Sequence, residues 1–166
     1  MFERLNTPQE LFNYKLGAAL KMENTVLSML GDLEENAQRE QLKQQFRHHA
    51  EETQEHIRNI EQAFQALGEE PDDSPCPAIE GLEKEGKANI KKADDSMVDA
   101  VILSGAAETE HHEIAVYEGL ITEAQAMGKQ DVVQLLQKNL EQEQHTLEEV
   151  KQATEKLAQE QFAHAA

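Results

Sequence analysis

Four helix-forming segments of this chain each carry a glutamate within an apolar stripe: Glu23, Glu52, Glu110 and Glu143, with Glu52 slightly off-centre. A helix turns about 100° per residue, so positions three, four and seven apart share a face. On that spacing Glu23 falls among Phe12, Leu16, Leu20, Val26 and Leu30. Glu110 falls among Leu103, Ala106, Ile114, Tyr117 and Ile121, and Glu143 among Val132, Leu136, Leu140, Leu147 and Val150. Each carboxylate points into a core, where an unpaired charge costs several kcal/mol. A fold that accepts three or four of them in one interior needs cations between them, and bound metal supplies these.

The rest of the composition suits such a bundle. A length of 166 residues predicts one domain over 1–166. Glu, Gln, Ala, Leu and Lys dominate, aromatic residues are 4% and there is no Trp, which argues for an all-α chain. Fifteen basic against thirty-three acidic residues leave a formal charge of -18. That field repels nucleic acid and anionic membranes and attracts cations. No apolar run approaches the ~18 residues of a membrane span, and no basic segment followed by an apolar core opens the chain. With the single cysteine Cys76, which has no intramolecular partner, the expectation is a soluble cytoplasmic protein.

Helix punctuation sets the order of elements. Thr7-Pro8-Gln9-Glu10 combines a capping hydroxyl, proline at the first helical position and glutamate three residues after the cap, so a first helix runs to about Asn36. A second, from about Arg39, carries Leu42, Phe46, His49, Thr53, His56, Ile60 and Leu67 and stops at Gly68. Glu69 to Pro77 is a proline-rich loop, and a shorter helix spans Ala78 to about Lys92. The third long helix begins near Asp95 or Ser96 and ends at Gly128, and the fourth runs from about Lys129 into the last residues. The segment 69–94 is long enough to cross the bundle. That favours a ferritin-like four-helix bundle with a long crossover carrying a short extra helix over an up-down bundle with short loops only.

The second helix adds imidazole to the carboxylates. Glu52 lies about 60° from His49 around the helix, and His56 follows one turn later on the same side. A carboxylate and an imidazole one turn apart are the pair that di-iron and di-manganese bundles use, although their Glu-x-x-His spacing is absent here. What stands instead is His49-x-x-Glu52, Glu52-x-x-x-His56 and Glu110-x-x-Glu113. Oxygen-rich ligands with little imidazole suit iron or manganese better than copper, and no thiolate favours zinc. His49 and His56 each read either as a ligand or as a core histidine with satisfied hydrogen bonds. Tyr117 reads as a hydrogen-bond partner of a ligating carboxylate, a redox-active phenol or simple packing. His111, His112 and His145 fall off the apolar faces and read as surface or interface residues. Cys76 reads as an exposed loop thiol.

Met22-Glu23, His49-Ala50-Glu51-Glu52-Thr53, Cys76-Pro77-Ala78-Ile79-Glu80-Gly81-Leu82, Glu110-His111-His112-Glu113-Ile114-Ala115 with Tyr117, and Leu140-Glu141-Gln142-Glu143-Gln144 occur in that order. Together they resemble the stress-associated YciE/YciF family of bacterial ferritin-like proteins over roughly residues 7–157. The resemblance implies a ferritin-like core with an added short helix, a homodimer and a di-metal centre of two iron or manganese ions. Its acidic ligand candidates carry over to Glu23, Glu52, Glu110, Glu113 and Glu143. Its motif includes His49, whereas glutamine can stand at the position of His56.

The leading expectation is therefore a di-metal carboxylate oxidoreductase acting on hydrogen peroxide or dioxygen in stress protection. Glu110 and Glu23 are its expected terminal ligands, Glu52 and Glu143 its bridging ligands, and Glu113 a ligand or nearby acid. With no in-chain electron relay, peroxide is the expected faster oxidant. The alternative is a non-catalytic dimeric bundle of the stress response with a structural or vestigial metal site. A ferritin-type storage cage is disfavoured by the short stretch after Leu157.

Overall fold

A computed structural model describes residues 4–164, and the parts of the expected 1–166 domain at 1–3 and 165–166 lie outside the described residues. All regular structure among the described residues is helical: α1 (Pro8–Asn36), α2 (Glu40–Leu67), α3 (Pro77–Lys92), a short 3-10 turn (Asp95–Met97), α4 (Val98–Ala126) and α5 (Gln130–His164). The capping box at the start of α1 forms as the sequence predicts, with Thr7 accepting from the Glu10 N–H at 3.1 Å and Glu10 accepting from the Thr7 N–H at 3.1 Å. Gly68 ends α2 in the left-handed region, φ 77°, where glycine carries no Cβ penalty. No helix among the described residues is long and apolar enough to cross a membrane.

Contacts between helix ends fix the topology. α1 and α2 are antiparallel neighbours, so the start of α1 meets the chain just past α2, where Asn13 hydrogen-bonds Glu69 at 3.3 Å. The crossover then passes over α1 at Gly17, whose missing side chain admits it. A Cβ there would lie 2.6 Å from both the Asp72 carbonyl oxygen and Ser74 Oγ, so any other residue displaces the strap. α3 travels the length of α1, ending with Lys87 on Asp32 at 3.1 Å. The chain thus re-enters at the end where α2 began, and Asp99 accepts the Gln38 backbone N–H at 2.7 Å. Arg39 ties that end together through Asp99 at 3.6 Å and Glu160 at 2.6 Å.

Helices α2 and α4 consequently run in the same direction, which an up-down bundle cannot do. This is the ferritin-like four-helix bundle, with α1 against α2 and α4, and α5 against α2 and α4. Its core is made by the apolar stripes: Phe12, Leu16 and Met22 from α1, Ile60 from α2, Ile102 and Leu103 from α4, and Leu136 from α5 are all essentially inaccessible. Each such side chain contributes roughly 1.5–3 kcal/mol on burial. Ile79 anchors α3 to the outside of the bundle.

Candidate metal centre

The four long helices converge their polar positions on one level of this core. α2 supplies His49, Thr53 and His56, spaced four and three apart on one face and all buried, with Thr53 Oγ1 donating to the His49 carbonyl at 2.9 Å. α4 supplies Glu110, Glu113 and Tyr117, α5 supplies Asn139, Glu143 and Thr146, and α1 supplies Glu23. These make two groups in which one ligand atom from each residue lies within 4.8 Å of the others: His49, Glu110, Glu113 and Glu143, and Glu23, His56 and Glu143. Glu143 belongs to both. In the second group His56 Nδ1 lies 2.9 Å from Glu143 Oε1 and 3.6 Å from Glu23 Oε2. In the first, His49 Nε2 lies 3.2 Å from Glu110 Oε1 and 3.6 Å from Glu143 Oε2.

These approaches are electrostatic and do not line up as hydrogen bonds. His49 Nε2, His56 Nδ1, one oxygen each of Glu23 and Glu110, and both oxygens of Glu113 and Glu143 are buried without a hydrogen-bond partner. Native interiors leave few such atoms unpaired, and these groups could hold a metal ion. The unpartnered atoms are carboxylate oxygens and imidazole nitrogens, the donor set of iron and manganese.

Burial and mutual repulsion dominate the titration of the cluster. Burial pushes Glu113 well above the usual carboxylate range, helped by the charges of Glu143, Glu23 and Glu110. Burial likewise raises Glu23 and Glu143, against the opposing pull of His56. For the histidines burial acts in the other direction but loses. The carboxylates of Glu143 and Glu23 push His56 up to about 10, and those of Glu110 and Glu52 hold His49 well above its ordinary value. Without a cation, the interior keeps protons where metal charge fits.

The far side of each imidazole is occupied, which fixes which nitrogen faces inward. His56 Nε2 donates to Gln142 Oε1 at 3.0 Å, leaving Nδ1 toward Glu143 and Glu23. Gln142 is itself placed by Glu55, which pairs with Lys138 at 2.5 Å. His49 Nδ1 faces Glu52 Oε2 at 3.5 Å and Thr146 Oγ1 at 3.3 Å, leaving Nε2 toward Glu110. Tyr117 donates a hydrogen bond to Glu23 Oε1 and accepts from Asn139 Nδ2 at 3.0 Å. Asn139 in turn accepts from Asn59 at 2.7 Å. Such outer contacts orient metal ligands and tune their basicity.

Of the seven predicted ligands, the structure brings Glu23, His49, His56, Glu110, Glu113 and Glu143 together and leaves Glu52 out of both groups. Glu52 sits on the flank of α2, its side chain 17% exposed, with one oxygen on His49 and the other 3.7 Å from the exposed His48. Among the expected bridging residues, only Glu143 belongs to both groups. The off-centre position seen in the stripe is enough to turn Glu52 from the interior to the back of His49. Cys76 also differs from expectation: it is buried at the start of α3, not exposed. His111 and His145 are exposed, and His112 is half-buried outside either group. Asn139, Asn59, Gln142 and Thr146 also join the centre, and no ligand-type spacing in the sequence marks them. Asn139 was detectable as a polar residue on the α5 stripe, three after Leu136 and four before Glu143.

Comparison with known proteins places this arrangement. The family described as "Domain of unknown function (DUF892)" matches residues 7–163. The chain belongs to this family. It is 31% identical to protein YciF of Escherichia coli strain K12 over 144 residues, 86% of this chain and 87% of that protein. The structure of the E. coli stress protein YciF superposes with a TM-score of 0.89 at 27% identity, covering 93% of this chain and 99% of that one. YcfI of Rhodopseudomonas palustris, proposed as a structural protein, gives a TM-score of 0.88 at 33% identity over 91% of this chain and 97% of that one. The recognisable family is thus the YciE/YciF type, and its helical bundle is shared.

Proposed function

We propose that the chain holds two iron or manganese ions between its four long helices and uses them to reduce a small oxidant, hydrogen peroxide or dioxygen, in protection against stress. The observation that carries this reading is that Glu143 belongs to two adjacent ligand groups, both filled with buried and unpartnered donor atoms. Glu23 and His56 would hold one ion, His49, Glu110 and Glu113 the other, and Glu143 both. Paired ions of this kind exchange two electrons with an oxygen species. The chain's own part is positional. Gln142 and Glu52 hold the two imidazoles with their inner nitrogens free, Tyr117 fixes Glu23, and the apolar stripes above and below keep bulk water out. The description of YciF as a stress protein supports the physiological setting, and a homodimer is the proposed assembly.

Elemental analysis of protein purified without chelator tests the first half. Stopped-flow absorbance after anaerobic Fe(II) or Mn(II) loading, with each oxidant, tests the second. Two metals per chain and rates well above free ion in buffer support the reading. A second reading, a structural bundle whose metal only closes the core, is favoured by the description of YcfI. Bound metal with rates no faster than free ion would select it.

A further inference from the structure

An apolar pocket of about 60 Å³ ends on the metal-ligand cluster. Leu30, Phe46, Ile102 and Val150 form its walls, and His49 and Glu110 stand at its inner end. Both of these are more than nine-tenths buried, and each leaves a polar atom, Nε2 and Oε2, without a hydrogen-bond partner. The outer end lies between α3 and α4, where Leu82, Gly86, Val101 and Gly105 line both the pocket and the neighbouring surface hollow. Gly86 and Gly105 are mid-helix glycines at which an added Cβ would touch nothing within 4 Å. Neither is demanded by close packing, and each costs about 1 kcal/mol of helix propensity against alanine. What their missing side chains leave is open space at the mouth.

We infer that this pocket admits dioxygen to the His49–Glu110 side of the centre, through the gap between α3 and α4 that Gly86 and Gly105 keep open. This rests on the di-metal reading and names its oxidant. The volume of about 60 Å³ suits a diatomic molecule, since a cavity of about 150 Å³ is what takes benzene. The mainly apolar lining favours dioxygen over hydrogen peroxide, because a polar molecule there would give up hydrogen bonds to water and find only Gln45, Thr109, Thr146 and Glu149, with His49 and Glu110 at the inner end, in exchange. A diatomic apolar gas loses none. Dioxygen is thereby favoured over the peroxide expected from the lack of an in-chain electron relay.

Two measurements decide this, one of them independent of turnover. Xenon-pressurised crystals of the metal-free protein should show xenon in the pocket, and a Gly86→Leu/Gly105→Leu variant should lose it while gaining helix propensity. In Fe(II)-loaded protein of measured metal content, the ratio of the dioxygen rate to the peroxide rate should fall about tenfold in the same variant, equivalent to about 1.4 kcal/mol of barrier. Gly105→Ala, which adds only a methyl, serves as the folding control and should lie between. An unoccupied pocket in the wild-type crystals, or an unchanged rate ratio in the double variant, would overturn the inference. Failure to bind two metals would instead overturn the di-metal reading, and the xenon result would still judge the pocket.

Discussion

The two ligand groups share Glu143 but are built differently around it. Glu23 and His56 are embedded in hydrogen bonds: Tyr117 on Glu23, Gln142 on His56, and Asn139 with Asn59 behind the tyrosine. On the other side only His49 is braced, by Glu52 and Thr146, while Glu113 has both oxygens free and Glu110 one. That second side also meets the apolar pocket. In the proposed di-metal centre, a site with one half fixed in advance and the other loosely held would suit a pair of ions with unequal tasks. The fixed half sets position, and the loose half can rearrange around an incoming molecule.

The largest effect is expected where the halves meet. Glu143→Ala removes a donor from both groups, so elemental analysis of the reconstituted variant should find neither ion retained at stoichiometric level. Retention of one ion per chain would show that Glu143 serves a single group and that the halves are independent.

Leucine substitutions on the two sides should then separate by sign in the metal-free protein. Glu113→Leu removes a carboxyl that burial and three neighbouring charges already oppose, and it leaves no donor behind. It should stabilise the apo fold by about 1–3 kcal/mol in urea melts. Glu23→Leu strands the Tyr117 hydroxyl and deprives His56 of a counter-charge, so it should destabilise by about 1–3 kcal/mol. Equal signs would erase the distinction between a braced and a loose half.

A pH series sharpens the same point for the cluster as a whole. The histidines have folded pKa values above their unfolded ones, so their stabilisation is complete below pH 6.5 and is lost as pH rises through about 10 for His56. The carboxyls of Glu113, Glu23 and Glu143 are also raised, so they too favour the proton-bound fold and weaken it as pH rises from 4.5. Apo protein should therefore lose thermal stability between pH 6.5 and 10. Metal-loaded protein, whose ligands are already deprotonated, should not follow it, and loading at pH 7 should release protons. Parallel melting curves for the two forms would argue against a cation in the cluster.

The sequence made much of the bundle legible, because helix caps and apolar stripes are local. Thr7 and Glu10, Gly68 and the 69–94 crossover gave the element order, and the periodicity alone aimed Glu23, Glu110 and Glu143 inward. What it could not supply was registry between helices. Gln142 meets His56 across eighty-six residues, and Asn139 meets Tyr117 across twenty-two. No spacing rule within one helix carries that information. Glu52 is the converse case: its off-centre helical angle is local information, and it places the carboxylate on His49 and outside both groups.

The outer hydrogen bonds offer the smallest and most specific test. Tyr117→Phe keeps the ring in a fully buried site and removes only the hydroxyl that Glu23 and Asn139 share. Thr146→Val does the equivalent on the other side, taking one of two contacts from His49 Nδ1 while Glu52 remains. Losing an outer partner typically costs about 10–100-fold in metal affinity. Tyr117→Phe should fall in that range for one of the two ions, because Glu23 has no other hydrogen-bond partner among the described residues. Thr146→Val should cost less, since the Glu52 carboxylate still holds the ring. Competition titrations with a chromogenic chelator resolve the two ions separately. If Thr146→Val proves the more damaging change, then the His49 side is the one held in place, and the braced and loose halves must be exchanged.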